Sequence, residues 1–344
     1  MAGQSWTGAV LRFSVQSLSI QSLLLVGALL VHGLCAPQTF AQSSGAALSQ
    51  SPLQSPGWRA GADLVFLQPR FNDDVGLIRT EEDVNNNASI SQLNFDRDFT
   101  AAPRVWISYE TVAAIGLRAS WWQLSSSAAG ISQQPPANGF GELAHPAIHG
   151  VDLASVVPAE RLSAASALDL YAIDLEVTKR ASLSGWDLLL TAGIRHAAVD
   201  RFDQLELRNQ VGDVAGVAGL SQQVNGLGPT ICLSTERQVF DQLSWGTNLR
   251  SSLLFASRER RLAAAEDLDL LTPFTTRFLT EQTGFLPIMS AGVSLSWRGR
   301  GPLSDGLTIT AGLESEWWSG VGTLSDEHAD MSLLGLSCGL SYAW

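Results

Sequence analysis

From residue 57 onward the sequence repeats one device: runs of roughly ten residues in which apolar and small polar side chains alternate. A period of two is the signature of a strand with chemically different faces. About ten residues is also the length at which a tilted strand crosses a bilayer. The runs fall at 58–68, 102–110, 115–124, 168–178, 186–198, 227–237, 243–256, 287–298, 307–318 and 333–344. In 287–298, for instance, Met289, Ala291, Val293, Leu295 and Trp297 oppose Ser290, Gly292, Ser294, Ser296 and Arg298. In 333–344, Leu334, Leu336, Cys338, Leu340, Tyr342 and Trp344 oppose Gly335, Ser337, Gly339 and Ser341. The first run is the least regular, with Val65 and Leu67 on the otherwise polar parity. No apolar stretch after the N-terminal region is long enough for a membrane-spanning helix.

The connectors point the same way. Those after odd-numbered runs are long (69–101, 125–167, 199–226, 257–286 and 319–332), and those after even-numbered runs are short (111–114, 179–185, 238–242 and 299–306). Outer-membrane barrels combine short periplasmic turns with long extracellular loops. The expectation is therefore an all-β fold: a single antiparallel up-and-down transmembrane barrel of about ten strands, with both chain ends periplasmic. Eight or twelve strands remain open, because 69–101 or 199–226 has room for a hairpin.

The aromatic residues separate this reading from a soluble sheet with one buried face. Eleven Trp accompany three Tyr. On the apolar parity, Trp58, Tyr109, Trp186, Trp245, Trp297 and Trp344 fall at predicted periplasmic strand ends, and Trp121 and Trp317 at extracellular ends. Such rings suit the two girdles expected at membrane–water boundaries. Trp106 and Trp122 depart from the rule, lying on the opposite parity. The terminal Trp344 on an amphipathic strand resembles the signal by which barrel-assembly machinery recognises its clients.

The N-terminus has the form of an export signal. Arg12 is its only charge before Arg59, the apolar block 23–34 follows, and Thr39-Phe40-Ala41 offers small residues at −3 and −1. Leu34 before Cys35 is too large for a lipobox. Three segments are thus expected: a signal peptide (1–41), a flexible leader (42–56) rich in Ser, Gln and Pro, and a barrel (57–344). Export places the barrel in the outer membrane of a Gram-negative-type bacterium, with outer-membrane lipid as its surroundings. Removing 1–41 leaves 20 basic residues against 33 acidic, a balance that repels nucleic acid. Cys232 and Cys338 then remain, on opposite parities, so no disulfide is expected.

Four segments carry a resemblance: GWRAGADLVFLQPRF (57–71), APRVWISYETVAAIGLRASWW (102–122), ALDLYAIDLEVTKR (167–180) and WDLLLTAGIRHAAVDRF (186–202). They are similar to the Legionella-type major-outer-membrane-protein-like family of pore-forming barrels, through short signatures such as DLE at 174–176 and AGIR at 192–195. The resemblance spans roughly 57 to 344. It implies an outer-membrane barrel and brings no catalytic residues.

Chemistry would have to sit on the inward parity, whose charges are Asp63, Arg104, Glu110, Arg118, Asp174, Glu176, Arg195, Glu236, Arg250, Glu314 and Glu316. Neighbouring strands offer Asp174 or Glu176 to Arg195, and Glu236 to Arg250. These charges form either a constriction that selects solutes or an acid–base ladder that satisfies ions inside a narrow barrel. Ten strands lie near the size at which side chains fill the interior. A pore would show mild cation preference from the acidic excess and pass small solutes or ions. The alternatives are a non-conducting structural or surface-interaction barrel and an outer-membrane hydrolase. The last would need a base, yet His145, His149 and His328 lie in loops and His196 on the lipid parity. There is no G-x-S-x-G, H-E-x-x-H or Walker-type motif, so no enzyme, cofactor or metal centre is expected. The carboxylate-rich stretch 72–83 lacks EF-hand spacing and reads as a solvated loop.

Overall fold

A computed structural model describes residues 56–344 except 84, 86, 138–140, 147–152, 267–273, 301–305 and 322–328. The expected signal peptide and nearly all of the expected leader lie outside the described residues, as do His149 and His328. The described residues form fourteen strands: β1 (Gly57–Phe71), β2 (Val75–Glu82), β3 (Ala88–Asn94), β4 (Thr100–Glu110), β5 (Ile115–Ser127), β6 (Ile131–Gln133), β7 (Gly141–Ala144), β8 (Arg161–Leu183), β9 (Trp186–Arg208), β10 (Val214–Gln238), β11 (Leu243–Glu266), β12 (Phe274–Arg298), β13 (Leu307–Trp318) and β14 (Met331–Ala343).

Ten of them close an antiparallel ring in the order β1-β4-β5-β8-β9-β10-β11-β12-β13-β14, with β1 returning to β14. Each coincides with one alternating run. Closure pairs the backbone groups all round the wall, which hydrocarbon requires because it offers no hydrogen-bonding partner. At the end with short turns, Ser184 and Gly185 both take positive φ (50° and 80°) and join β8 to β9 in two residues. Positive φ at both central positions matches the twist of the flanking strands, and Gly185 adopts it without a Cβ clash.

The outward face carries the apolar parity. Leu64, Leu117, Ile194, Leu249, Leu295, Leu313 and Leu336 are all exposed. Near the short-turn end, Trp58 packs on Tyr109 (ring centroids 5.0 Å apart) and Trp186 edge-on to Trp245 (5.2 Å). Trp297 and Trp344 are also exposed there, and Trp121 and Trp317 point outward nearer the other end. Both cysteines are free, Cys232 buried and Cys338 exposed.

Two expectations about the long connectors need correction. Residues 199–226 and 257–286 are largely strand: β8 to β12 run 23–25 residues, against 11–15 for the other five ring strands. A membrane needs only about 9–11, so half of the ring rises well beyond the bilayer. There the alternation inverts. Outward positions become polar (Asp169, Gln204, Gln223, Arg261), while inward ones become apolar (Leu162, Leu205, Leu220, Ala264). Water replaces lipid outside, so the polar face turns outward. The second correction concerns 69–101 and 125–167, which hold a three-stranded sheet, β3-β2-β7. Its Leu77 and Leu143, with Phe95 and Leu153, pack on Leu162, Leu205 and Leu220 inside the raised wall.

Candidate functional site: the barrel interior

Successive inward positions along β8 and β9 alternate in chemistry. Starting from the short-turn end they read Thr178, Glu176, Asp174, then Ala172, Leu170 and Leu168, then Ser166, then Ala164 and Leu162 on β8. The facing positions on β9 are Thr191, Gly193, Arg195, Ala197, Val199, Arg201, Asp203, Leu205 and Leu207. Two ionic clusters are thus separated by one apolar layer and capped by another.

The lower cluster crosses the interior. Arg195 on β9 forks onto Asp174 (2.7 and 3.1 Å) and reaches Glu316 on β13 (3.2 Å), although three ring strands separate β9 from β13. Arg250 on β11 forks onto Glu176 (2.6 and 3.3 Å) and touches Asp174 at 3.2 Å. Arg104 on β4 holds Glu314 on β13 in a bidentate pair (3.1 and 2.7 Å). Bidentate guanidinium–carboxylate geometry adds direction as well as charge. Asp174, Glu176, Arg195 and Glu316 are buried. Arg118 lies over the Trp106 ring at 4.9 Å, which explains one of the two tryptophans that depart from the girdle rule. The other, Trp122, belongs to the apolar layer.

These contacts revise the expected pairing. Asp174 and Arg195 meet as neighbours should, but Arg250 bypasses Glu236 for the acids on β8. Glu236 instead accepts from Arg298 (3.2 Å) and Ser244. Glu110 is held by Arg180 (3.2 Å) and Arg59 (3.8 Å). Arg59, Arg180 and Arg298 therefore join the four arginines expected on the inward parity, and the seven carboxylates expected there are matched by seven arginines. The acidic excess on which a cation preference rested is gone.

Above lies an apolar cluster of Val65, Leu67, Ala102, Trp122, Leu124, Leu168, Leu170, Ala172, Val199, Leu254, Leu286, Ile288, Trp318, Met331 and others, drawn from all round the ring. Gln222 on β10 donates to the carbonyl of Val321, just beyond β13, at the same level. Small residues dominate the short-turn half of β12–β14: Ser290, Gly292, Ser294, Gly312 and Ser337 are only half-buried. The interior is thus roomier below the lower cluster and filled above it.

The upper cluster was not foreseen. Arg97, between β3 and β4, bonds Asp74 (3.1 Å) and Ser166 (2.5 Å), and Ser166 donates to Asp203 (2.5 Å). Arg201 bonds both Asp74 (2.8 Å) and Asp203 (3.0 Å) and lies 5.0 Å from the Phe71 ring centroid. Asp74, expected in a solvated acidic loop, is instead consumed by two guanidinium groups. No group of three metal-ligating side chains occurs among the described residues. His145 lies 3.9 Å from Asp203, both side chains 1% exposed, so this His–carboxylate contact is sealed from any substrate. His196 and Asp203, close in sequence, point to opposite faces of β9: His196 lies outward beside Tyr171 (5.6 Å).

Burial lowers the His145 pKa to about 4, and the Asp203 charge offsets this only in part. The unfolded imidazole titrates near 6.5. Between those values the unfolded chain binds the proton and the folded chain does not, so stability falls as pH drops from about 6.5 to about 4 and levels off below. The limit is about 3 kcal/mol. Proteolysis of the 72–160 region across this range is expected to quicken with acid in the natural chain. In His145→Gln that component should be missing; an unchanged profile in the variant would refute the assignment.

A family model described as Legionella pneumophila major outer membrane protein precursor matches residues 50–343. No curated protein matches the sequence. Among solved structures, the chain is similar to the outer membrane protease OmpT from Escherichia coli, at 13% identity and TM-score 0.46, covering 87% of this chain and 99% of that one. It is also similar to the outer membrane protein OprG from Pseudomonas aeruginosa (7% identity, TM-score 0.29, 82% and 95% covered). A Pseudomonas aeruginosa FadL homologue gives 9% identity and TM-score 0.23, with 84% and 90% covered.

Proposed function

The chain belongs to the Legionella pneumophila major outer membrane protein precursor family and resides in the outer membrane as a β-barrel, and we propose that it is a filled, non-conducting barrel with a structural and surface-interaction role. The observation that carries this is the ionic tie from β9 to β13 lying directly beneath an apolar layer drawn from all round the ring. Ions crossing the barrel would have to break buried charge pairs and then enter a layer with nothing to solvate them. What the outside meets is a rigid raised wall, polar outward, packed from within by the β3-β2-β7 sheet. The reading is also non-catalytic, since the inward His–carboxylate pair is sealed.

A second reading, a narrow passive pore for small solutes or ions, draws support from the half-buried Ser and Gly positions of β12–β14. Conductance of the purified protein in planar bilayers separates the two. The filled barrel predicts silence at moderate voltage. Discrete, reproducible steps would overturn it, and their reversal potential in a salt gradient would then read out ion preference.

A further inference from the structure

On the outward face of β9–β12 a groove of about 610 Å³ is built from three adjacent rows of residues in register. The first row is His196–Leu227–Phe255–Phe285. Phe255 and Phe285 stand 4.9 Å apart and, with Leu227, are more than half exposed. The next outward row is Asn225–Ser257–Thr283, and the inward row between them is Gly226–Ala256–Gly284. Bulky side chains thus stand on one side and short polar ones on the other, with the strand backbone of the inward row between them.

The groove lies where the wall leaves the hydrocarbon. Along the same strands, outward residues on the membrane side are apolar (Ile194, Ile231, Leu253, Met289) and those beyond are polar (Gln223, Glu259, Glu281). It therefore continues the lipid-facing belt and ends in hydrogen-bonding groups, two amphipathic halves in one depression. No Lys or Arg lines it; the polar side is an amide, two hydroxyls and an imidazole. That rim suits the hydroxyls and acyl-amide linkage of a sugar headgroup better than a bare phosphate, which selects cations.

We propose that this groove holds one acylated amino-sugar glycolipid of the outer leaflet. An acyl chain lies along Leu227, Phe255 and Phe285, and the sugar hydroxyls and acyl linkage meet Asn225, Ser257, Thr283 and His196. The Tyr171 ring beside His196 fixes the imidazole orientation.

The test uses the full chain purified in mild detergent, delipidated, and titrated with lipid A or with phosphatidylglycerol while bound lipid is counted by native mass spectrometry. The natural chain is expected to bind one lipid A about tenfold more tightly than phosphatidylglycerol. Ser257→Trp, which fills the groove from a water-exposed position, and His196→Ala, which removes a rim donor, are each expected to weaken lipid A about tenfold. Leu313→Ala, on the belt at β13, should leave it unchanged. Heat-modified migration on gels reports whether each variant is folded. Equal affinity for the two lipids, unaltered binding in folded Ser257→Trp and His196→Ala, or equal loss in Leu313→Ala would each overturn the proposal.

Discussion

Arg195→Ala is expected to destabilise the barrel by about 3–5 kcal/mol, because it leaves Glu316 as an unpaired buried charge and takes from Asp174 its forked partner. Equilibrium unfolding in micelles measures this directly. The more telling experiment is a double-mutant cycle between Arg195 and Glu316. Their strands are not neighbours, so coupling of about 1–3 kcal/mol requires a bond across the interior. Coupling below about 0.5 kcal/mol would mean that the two side chains do not meet and that water occupies the space between them. Arg195→Lys is expected to recover only part of the loss, since an ammonium cannot make the forked pair with Asp174.

Trp318→Ala is expected to cost about 3–5 kcal/mol, from the lost burial and the cavity it leaves. The side chain is completely buried in the apolar layer, its strand paired on one side with Met331 and on the other with Ile288. Its indole nitrogen has no hydrogen-bond partner among the described residues. Trp318→Phe removes that unsatisfied donor while keeping most of the volume, so its cost should stay below about 1.5 kcal/mol. A Phe variant as damaged as the Ala variant would show that the indole N–H makes a bond that matters. If the layer is the seal, Trp318→Ala is also the variant most apt to begin conducting.

The wall was legible in the sequence because lipid imposes a rule on every crossing residue. Outward positions must be apolar for about ten residues, so the period-two pattern marked the membrane-crossing part of each of the ten ring strands. The outward placement of Trp58, Trp245, Trp297, Trp317 and Trp344 near strand ends was legible from the same parity. Beyond the bilayer that selection ends. The stretches 199–208 and 214–226 are strands whose alternation has the opposite sign, and a search for greasy outward faces passes over them.

The interior was only half legible. Parity told which charges point inward, and next-door pairing told that Asp174 would meet Arg195. It could not tell that Arg250 would reach β8 or that Arg195 would reach β13, because those contacts depend on the width and curvature of the closed ring. Parity placed Arg59 and Arg298 on the inward face, but at the margins of their runs neither was counted among the interior charges, and Arg180 lies just past the end of its run. The upper cluster was hidden more deeply, because Asp74, Arg97 and His145 sit in segments without periodicity and acquire partners only when those excursions fold into the raised wall.

By itself, the sequence determined the membrane-crossing segments of the wall and which side of each faces lipid, since both follow from a local contest between water and hydrocarbon along a single strand. Whether the barrel is filled, which charges cancel and where the excursions pack were decided by the tertiary structure alone. Those outcomes rest on distances across a closed ring, and no linear pattern carries a diameter.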